Sequence, residues 1–445
     1  MLPSLIPLGL VALLGATAAV AQECTLDKKC PEDKPCCSQY NQCGTGAFCL
    51  GGCDPRMSFS IDSCVPSPVC KDAELKMDSL DRYRHISEFL GDPDEADWVG
   101  QGDPIIFKGS TLLTMPKGSV GTVLASTRHM WYGNVKAKVK TSRGAGVVTA
   151  FILFGDVKDE IDFEWVGTDL STVQTNFYFQ GIPNYANSEN ITKLSNTYDN
   201  WHEYEIRWTP EKIEWLVDGA VGRTVLKSST FNKTSNQFEF PQTPTRVQLS
   251  IWPGGLASNA QGTIDWAGGP IDWDSDEIKK YGYYFASFKD VSIECYKTNS
   301  PPGTNKGISY WYNDIRATND TVVDGKKPTI LKSFEGTGTD MDKGSPSGTG
   351  NGGAHASNVP GGIVNNPGNQ VPGGVVNPGP GNGGGSSSGT GSGSAPPCKA
   401  TGFSQTCPDE TGATNNQNNG VRGAERTLGA SAFAVVIGFA GLLFL

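Results

Sequence analysis

Basic side chains are in short supply in this chain of 445 residues: 36 Lys+Arg stand against 46 Asp+Glu, a formal charge of −10. A phosphate backbone selects the opposite balance, so the sequence argues against nucleic acid as a partner. Charged residues of both signs reach only 18%, below the roughly 25% of an ordinary globular protein. Histidine is rarer still, and His85, His129, His202 and His355 form no ligand spacing. No catalytic metal is therefore expected. The run Asp272-Trp-Asp-Ser-Asp-Glu277 opens like a calcium loop. It lacks Gly at the sixth position and Glu at the twelfth, and reads as a solvated loop. No glycine-rich phosphate loop joins a strand to a helix, so no nucleotide cofactor is expected either. A sustained 3.6-residue apolar period is also missing; only Leu75–Leu90 reads as a helix.

Glycine and cysteine are plentiful instead. Glycine supplies 56 residues, about one in eight against a usual ~7%, which points to a low-complexity segment. Of twelve cysteines, nine lie between Cys24 and Cys70, a density suited to an oxidising, extracellular compartment. Residues 1–21 are apolar and end in Ala19-Val20-Ala21. They read as a secretory signal peptide cut before Gln22, with an uncleaved anchor helix as the alternative. At the other end, Leu428–Leu445 carries no charge and follows small polar residues and a short charged spacer. Residues 420–445 read as a GPI-anchor signal with Asn419 as the attachment residue, and a single-pass helix as the rival. The expected location is secreted and lipid-anchored, at the plasma membrane and cell wall. Residues 336–397 run to Gly, Ser, Pro and Asn and predict an extended stalk that buries no core. Beyond it, Cys398 and Cys407 are placed to pair locally. Asn190, Asn232 and Asn319 head N-glycosylation sequons.

The region 70–300 predicts an all-β domain. Tyr132–Lys140 alternates apolar and charged residues, as a half-buried strand does, and Val147–Phe154 is apolar throughout, as a strand covered on both faces is. His202–Trp208 alternates again. Thr209-Pro-Glu-Lys212 and Asp218-Gly219 then supply turn chemistry around Ile213–Val217. Arg246–Ile251 and Phe285–Cys295 add further strands. Trp201, Trp208 and Trp215 read as core. So many strands within this length imply a two-sheet sandwich of jelly-roll type.

The sharpest feature is Asp159-Glu-Ile-Asp-Phe-Glu-Trp165. Alternation places Glu160, Asp162 and Glu164 on one face of a strand and Ile161 and Phe163 on the other. Crowded carboxylates cannot all ionise freely, so at least one holds a proton near neutrality. A protonated acid beside an ionised neighbour is what glycoside cleavage requires. In an ideal strand the Cα atoms of Glu160 and Glu164 lie roughly 13 Å apart. Converging on one bond, with carboxyls about 5–5.5 Å apart for retention, therefore demands a bent sheet. The pattern alone does not say which glutamate is acid and which nucleophile. Downstream, Asn176, Tyr178 and Gln180 alternate on one face. Trp252 and Trp266 stand at expected strand ends beside turn residues. All five are candidate sugar contacts, and each aromatic can equally be a buried structural ring.

Two resemblances extend this reading. The run Cys36-Cys-Ser-Gln-Tyr-Asn-Gln-Cys-Gly44, within the spacing Cys24-x5-Cys30-x5-Cys36-Cys37-x5-Cys43-x5-Cys49-x3-Cys53, resembles the hevein-like chitin-binding module. The resemblance covers residues 22–53 and implies pairs Cys24–Cys37, Cys30–Cys43 and Cys36–Cys49. It also implies N-acetylglucosamine contacts by Ser38, Tyr40 and Phe48, with exposed rings stacking on the sugar. Gln42 stands where that family usually has another aromatic, and the Cys43–Cys49 loop is one residue short. Pairing among Cys53, Cys64, Cys70 and Cys295 is left open. Asp159–Glu164, with the hairpin His202–Gly219, resembles glycoside hydrolase family 16, a curved β-jelly roll. The module, stalk and tail together resemble the fungal Crh-like cell-wall transglycosylases.

The second resemblance implies Glu160 as nucleophile, Glu164 as acid/base and Asp162 in support, with no cofactor. The expected activity is cleavage of chitin and transfer of the chain to β-glucan or chitin by a monomeric enzyme, with water giving chitinase products. The alternatives are a β-glucan hydrolase of the same fold and a non-catalytic chitin-binding wall protein.

Overall fold

The computed structural model describes residues 22–297, 300–345, 356, 359–361, 399–401 and 404–406. The signal peptide, most of the stalk, Cys398, Cys407, Asn419 and the 420–445 tail lie outside the described residues. Among the described residues, no helix is long and apolar enough to cross a membrane.

Alternation in sequence becomes alternation in burial. In the strand Gly133–Lys140, Val135, Ala137 and Val139 are buried while Lys136, Lys138 and Lys140 are half-buried. That strand is flanked by His202–Trp208 and by Tyr283–Cys295 within an eight-stranded sheet. A second eight-stranded sheet runs in the order Glu189–Ile191, Val173–Tyr178, Glu160–Val166, Val147–Gly155, Thr245–Pro253, Thr122–Ser126, Trp98–Gln101, Tyr83–His85. All its pairings are antiparallel except the last. The two sheets enclose one large core that includes Phe151, Ile161, Phe163, Trp165, Tyr204, Trp208 and Trp215. The fold is thus an all-β jelly-roll sandwich preceded by a small disulfide-rich module. Trp208 and Trp215 are fully buried as expected, whereas Trp201 is only half-buried, with the ammonium groups of Lys140 and Lys289 over its ring.

Five disulfides are closed: Cys24–Cys37, Cys30–Cys43 and Cys36–Cys49 in the module, then Cys53–Cys64 and Cys70–Cys295. The first three coincide with the pairs that the hevein-like resemblance implies, and the last two supply the connectivity left open.

Three expectations are corrected. Leu75–Leu90 is not helical: Ala73–Leu75 and Tyr83–His85 are strands, and Met77 sits at φ 62°. That left-handed conformation is incompatible with continuing a helix. The run Asp272–Glu277 is a loop only as far as Ser275, and its last two residues open a short helix, Asp276–Tyr281. Ser275 Oγ accepts from Ile278 N, two acids open the first turn, two lysines occupy the last, and Gly282 closes it at φ 85°. Finally, the first residues of the expected stalk, 336–338 and Met341, pack against the rest of the protein. Gly46 N donates to Gly336 O, Gly338 N donates to Ser63 O (both 2.8 Å), and Met341 packs beside Phe48 and Leu331. Glycine-rich composition builds no core of its own, yet its backbone still pairs with a neighbour's.

Candidate active site

The strand Glu160–Val166 turns Ile161, Phe163 and Trp165 into the core and therefore Glu160, Asp162 and Glu164 to the opposite face. Its start is fixed by Asp159. One oxygen of Asp159 accepts from Gln242 N, Thr243 N and Thr243 Oγ1 (2.9, 3.0 and 2.7 Å), and the other from Gln180 N (2.9 Å). The strand's middle is held by Trp215 Nε1, which donates to Asp162 O at 2.9 Å. Register then defines the surface around the acids. Glu160 stands opposite Phe154 and Tyr178, Asp162 opposite Ile152 and Asn176, and Glu164 opposite Ala150 and Gln174. One strand further, Arg246, Gln248 and Ser250 face Phe154, Ile152 and Ala150. The carboxylate face is thus acidic in one strand, apolar in the next and polar in the third.

The three acids are 4%, 0% and 1% exposed. Both oxygens of Glu164 lack a hydrogen-bond partner among the described residues. Burial therefore dominates their protonation, because a low-dielectric setting disfavours the ionised form. It pushes Glu160 up to about 8, opposed by hydrogen bonding with Asp162 and by the Lys158 charge. Asp162 is raised well above the carboxylate range by burial and then by the charges of Glu160 and Glu164. Glu164 is raised likewise, by burial and then by the Glu160 charge. Lys158 favours the ionised form of Glu160 and Arg223 that of Asp162, whereas the leading influences on Glu164 include no cation. Lys158 itself is buried at φ 65°, donates to Asn41 Oδ1 of the cysteine-rich module, and is lowered to about 8, chiefly by burial.

Aromatic rings bracket the acids. Tyr178, Trp252, Val148 and Ala267 form one cluster, with Trp266 packed against it. The Trp252 and Trp266 rings stack 5.9 Å apart, and Trp266 Nε1 donates to Gln174 Oε1 at 2.8 Å. Asn176, Tyr178, Trp252 and Trp266 thus all gather around the carboxylates, although Trp266 ends a short helix, Gln261–Trp266, rather than a strand. Gln180 does not join them. It lies past the strand at φ 51°, and its amide donates to the carbonyls of Arg316 and Ala317 at 2.7 and 3.0 Å.

The module departs from expectation more sharply. Ser38, Tyr40 and Phe48 are all buried, so their rings present no sugar-binding face in this arrangement. Phe48 packs among Cys36, Cys49, Cys53, Val65 and Leu331, and burial pushes the Tyr40 hydroxyl up to about 12. The cause is that the module lies on the sandwich and is covered by the chain that follows it. Among the sequons, Asn190 is exposed. Asn232 Nδ2 is bonded to Glu239 and Asn319 Nδ2 to Ser300 Oγ.

Sequence reading did not single out Arg246, Gln248 or Ser250. The signal existed: Arg246-Val-Gln-Leu-Ser-Ile-Trp252 alternates polar and apolar residues, which places these three on the same face as Trp252. Lys158 and Asn41 carried no such signal, because their meeting depends on how the module docks.

A family model described as glycosyl hydrolases family 16 matches residues 92–268. Crh-like protein 3 of Botryotinia fuckeliana is 58% identical over 75% of this chain and 75% of its own length. Crh-like protein 2 of Aspergillus fumigatus is 49% identical over 82% and 85%. Congo red hypersensitive protein 2 of Saccharomyces cerevisiae is 46% identical over 73% and 68%. A solved structure, Crh5 transglycosylase in complex with NAG, is similar at 26% identity and TM-score 0.47, covering 58% of this chain and 94% of that one. With the family model, the three curated relatives show that the chain belongs to the Crh-like proteins within glycosyl hydrolases family 16.

Proposed function

We propose that the chain is a retaining transglycosylase that cleaves chitin and transfers the released chain to β-glucan or to another chitin chain, cross-linking the wall. The observation carrying this reading is the row of three buried carboxyls on one face of one strand, bracketed by Tyr178, Trp252 and Trp266. Glu160, favoured in its ionised form by Lys158, attacks the anomeric carbon. Glu164 gives its proton to the leaving oxygen as the glycosidic bond breaks, and Asp162 supports the nucleophile. The covalent glycosyl-enzyme then meets an acceptor hydroxyl. Glu164, now ionised, takes the hydroxyl proton, the new glycosidic bond forms and the Glu160 ester is released. Water in place of the acceptor gives chitinase products by the same balance.

Passage through an oxidising compartment is supported by the five disulfides. With the apolar ends of the sequence, it supports a monomeric, secreted, GPI-anchored enzyme glycosylated at Asn190. The test mixes labelled chitin oligosaccharide donors with laminarin-type acceptors and reads products by mass spectrometry. Glu160→Gln and Glu164→Gln are each expected to lower transfer by at least about a thousandfold, as removal of an essential catalytic group does. Transfer retained in either folded variant removes the role given to that residue, and transfer of glucan but not chitin makes the enzyme a glucan-active one.

A further inference from the structure

The carboxylate face is covered at Arg246 and Gln248 by the chain's own module. Gln39 reaches across from the cysteine-rich module and its Oε1 accepts from Arg246 Nη2 at 2.9 Å and from Gln248 Nε2 at 3.1 Å. Both donors stand on the carboxylate face, in register with Glu160 and Asp162 and two strands away. At roughly 4.8 Å per strand, the backbones of Arg246 and Gln248 run about 10 Å across the sheet from those of Glu160 and Asp162. Around Gln39 the module lies close. Gly52, at φ 86°, takes a conformation that favours glycine, and a Cβ there would fall 2.8 Å from Gln39 Oε1 and 2.9 Å from Arg246 Nη2, pressing both side-chain ends aside. Farther along the same sheet, Gln101 Nε2 donates to Pro360 O at 2.7 Å, and Gly361 N to Gln42 Oε1 at 2.8 Å.

Three features make this contact more than packing. First, Arg246 Nε, Gln248 Oε1 and Ser250 Oγ are buried with no partner among the described residues. Native interiors rarely leave such groups unsatisfied without a ligand or water to meet them. Second, an amide oxygen accepting two N–H donors reproduces what a sugar hydroxyl oxygen offers the same donors. Third, both oxygens of Glu164 are likewise buried without a partner, so unsatisfied polar groups run along this face from the acids to Arg246. The ties of Gln39, Gln42 and Gln101 are hydrogen bonds made by neutral amides, each weak enough to be exchanged for one to a ligand.

We propose that Arg246, Gln248 and Ser250 form a sugar-hydroxyl subsite of the cleft, and that Gln39 of the cysteine-rich module fills it as an internal competitor that the polysaccharide must displace. The inference rests on the transglycosylase reading and adds the regulation of that site.

The test is steady-state transfer by the full chain with chitin oligosaccharide donors, comparing Gln39→Ala, Gln39→Glu, Gln248→Ala and the double variant Gln39→Ala/Gln248→Ala. Removing the competitor in Gln39→Ala is expected to lower the donor KM about three- to tenfold, the size of one or two hydrogen bonds. A carboxylate facing the Arg246 guanidinium in Gln39→Glu tightens the internal contact and raises KM by a similar factor. Gln248→Ala raises KM as well, and in its background Gln39→Ala gains less than it does alone. A merely structural Gln39 would move melting temperature without shifting KM in opposite directions for Ala and Glu. Equal KM values for the Gln39 variants and the parent, each folded by circular dichroism, overturn the inference while leaving the transglycosylase reading intact. A parent enzyme that turns over neither chitin nor glucan overturns that reading instead.

Discussion

At the residue scale, the chemistry turns on how one dry face divides protons among three acids. Lys158 is the neighbour that separates the two glutamates, since its charge opposes the upward push that burial gives Glu160 and no cation does so for Glu164. In Lys158→Met that opposition disappears and Glu160 ionises at higher pH. A nucleophile must be ionised, so the acidic limb of kcat/KM is expected to move upward, with several-fold loss below neutrality and recovery toward alkaline pH. A pH–rate profile with the acidic limb in place would show that Lys158 does not influence the nucleophile. The acids themselves were legible in the sequence, because alternation within a strand fixes faces regardless of context. The burial of Ser38, Tyr40 and Phe48 was not legible, because exposure belongs to the docked assembly and not to the local pattern. Gln180 failed for a related reason: the alternation that placed it beside Asn176 and Tyr178 ends when the chain turns at φ 51°.

At the element scale, the turn between Val147–Gly155 and Glu160–Val166 does two jobs. Asp159 anchors the carboxylate strand, and Asp156 anchors the module. One Asp156 oxygen accepts from Gly52 N at 2.6 Å and faces His129 Nε2 at 3.2 Å; the other accepts from Ser67 Oγ at 2.9 Å. Burial raises the Asp156 pKa, but the charge and hydrogen bond of His129, with the Gly52 N–H, carry it below the ordinary value. Asp156→Ala strands three buried partners at once. It is expected to cost about 2–4 kcal/mol in denaturant unfolding, one to three for each group left unsatisfied less what water recovers. It is also expected to increase proteolysis between Cys49 and Ser67. A loss below about 0.5 kcal/mol would mean that the module is held elsewhere. Strands with clear alternation and hairpin turns were readable at this scale. The 75–90 segment misled because its apolar residues mimic a helical period while Met77 breaks the chain and the flanks pair with distant strands. Pairing partners more than 200 residues away, Leu75 with Val291 among them, leave no trace in a local window.

For the whole molecule, burying acids for catalysis carries a stability cost that depends on pH. Glu160, Asp162 and Glu164 all have folded pKa values raised above those of the unfolded chain. Between about pH 4.3, where an unfolded glutamate ionises, and the folded value, the native state holds protons that the unfolded chain has released. Stability then falls as pH rises. For Glu160 that window extends to about 8. Asp156 acts in the opposite sense, since its depressed value gives stability that is lost only as pH falls below about 4. The two windows do not overlap, so the melting temperature should peak on the mildly acidic side and decline toward pH 8. Glu164→Gln keeps the shape of the side chain and removes one of the buried ionisations. It is expected to raise the melting temperature at pH 8 by several degrees, since about 1 kcal/mol moves a domain of this size by roughly 2–4 °C. At pH 4, where the folded carboxyl and most of the unfolded one hold their proton, the same variant should sit close to the parent. A variant that stabilises equally at both pH values would trace the gain to packing, and a parent whose melting temperature is flat from pH 5 to pH 8 would mean that the acids face water. In that case the site is open, and neither the proton held on Glu164 nor the competition from Gln39 survives.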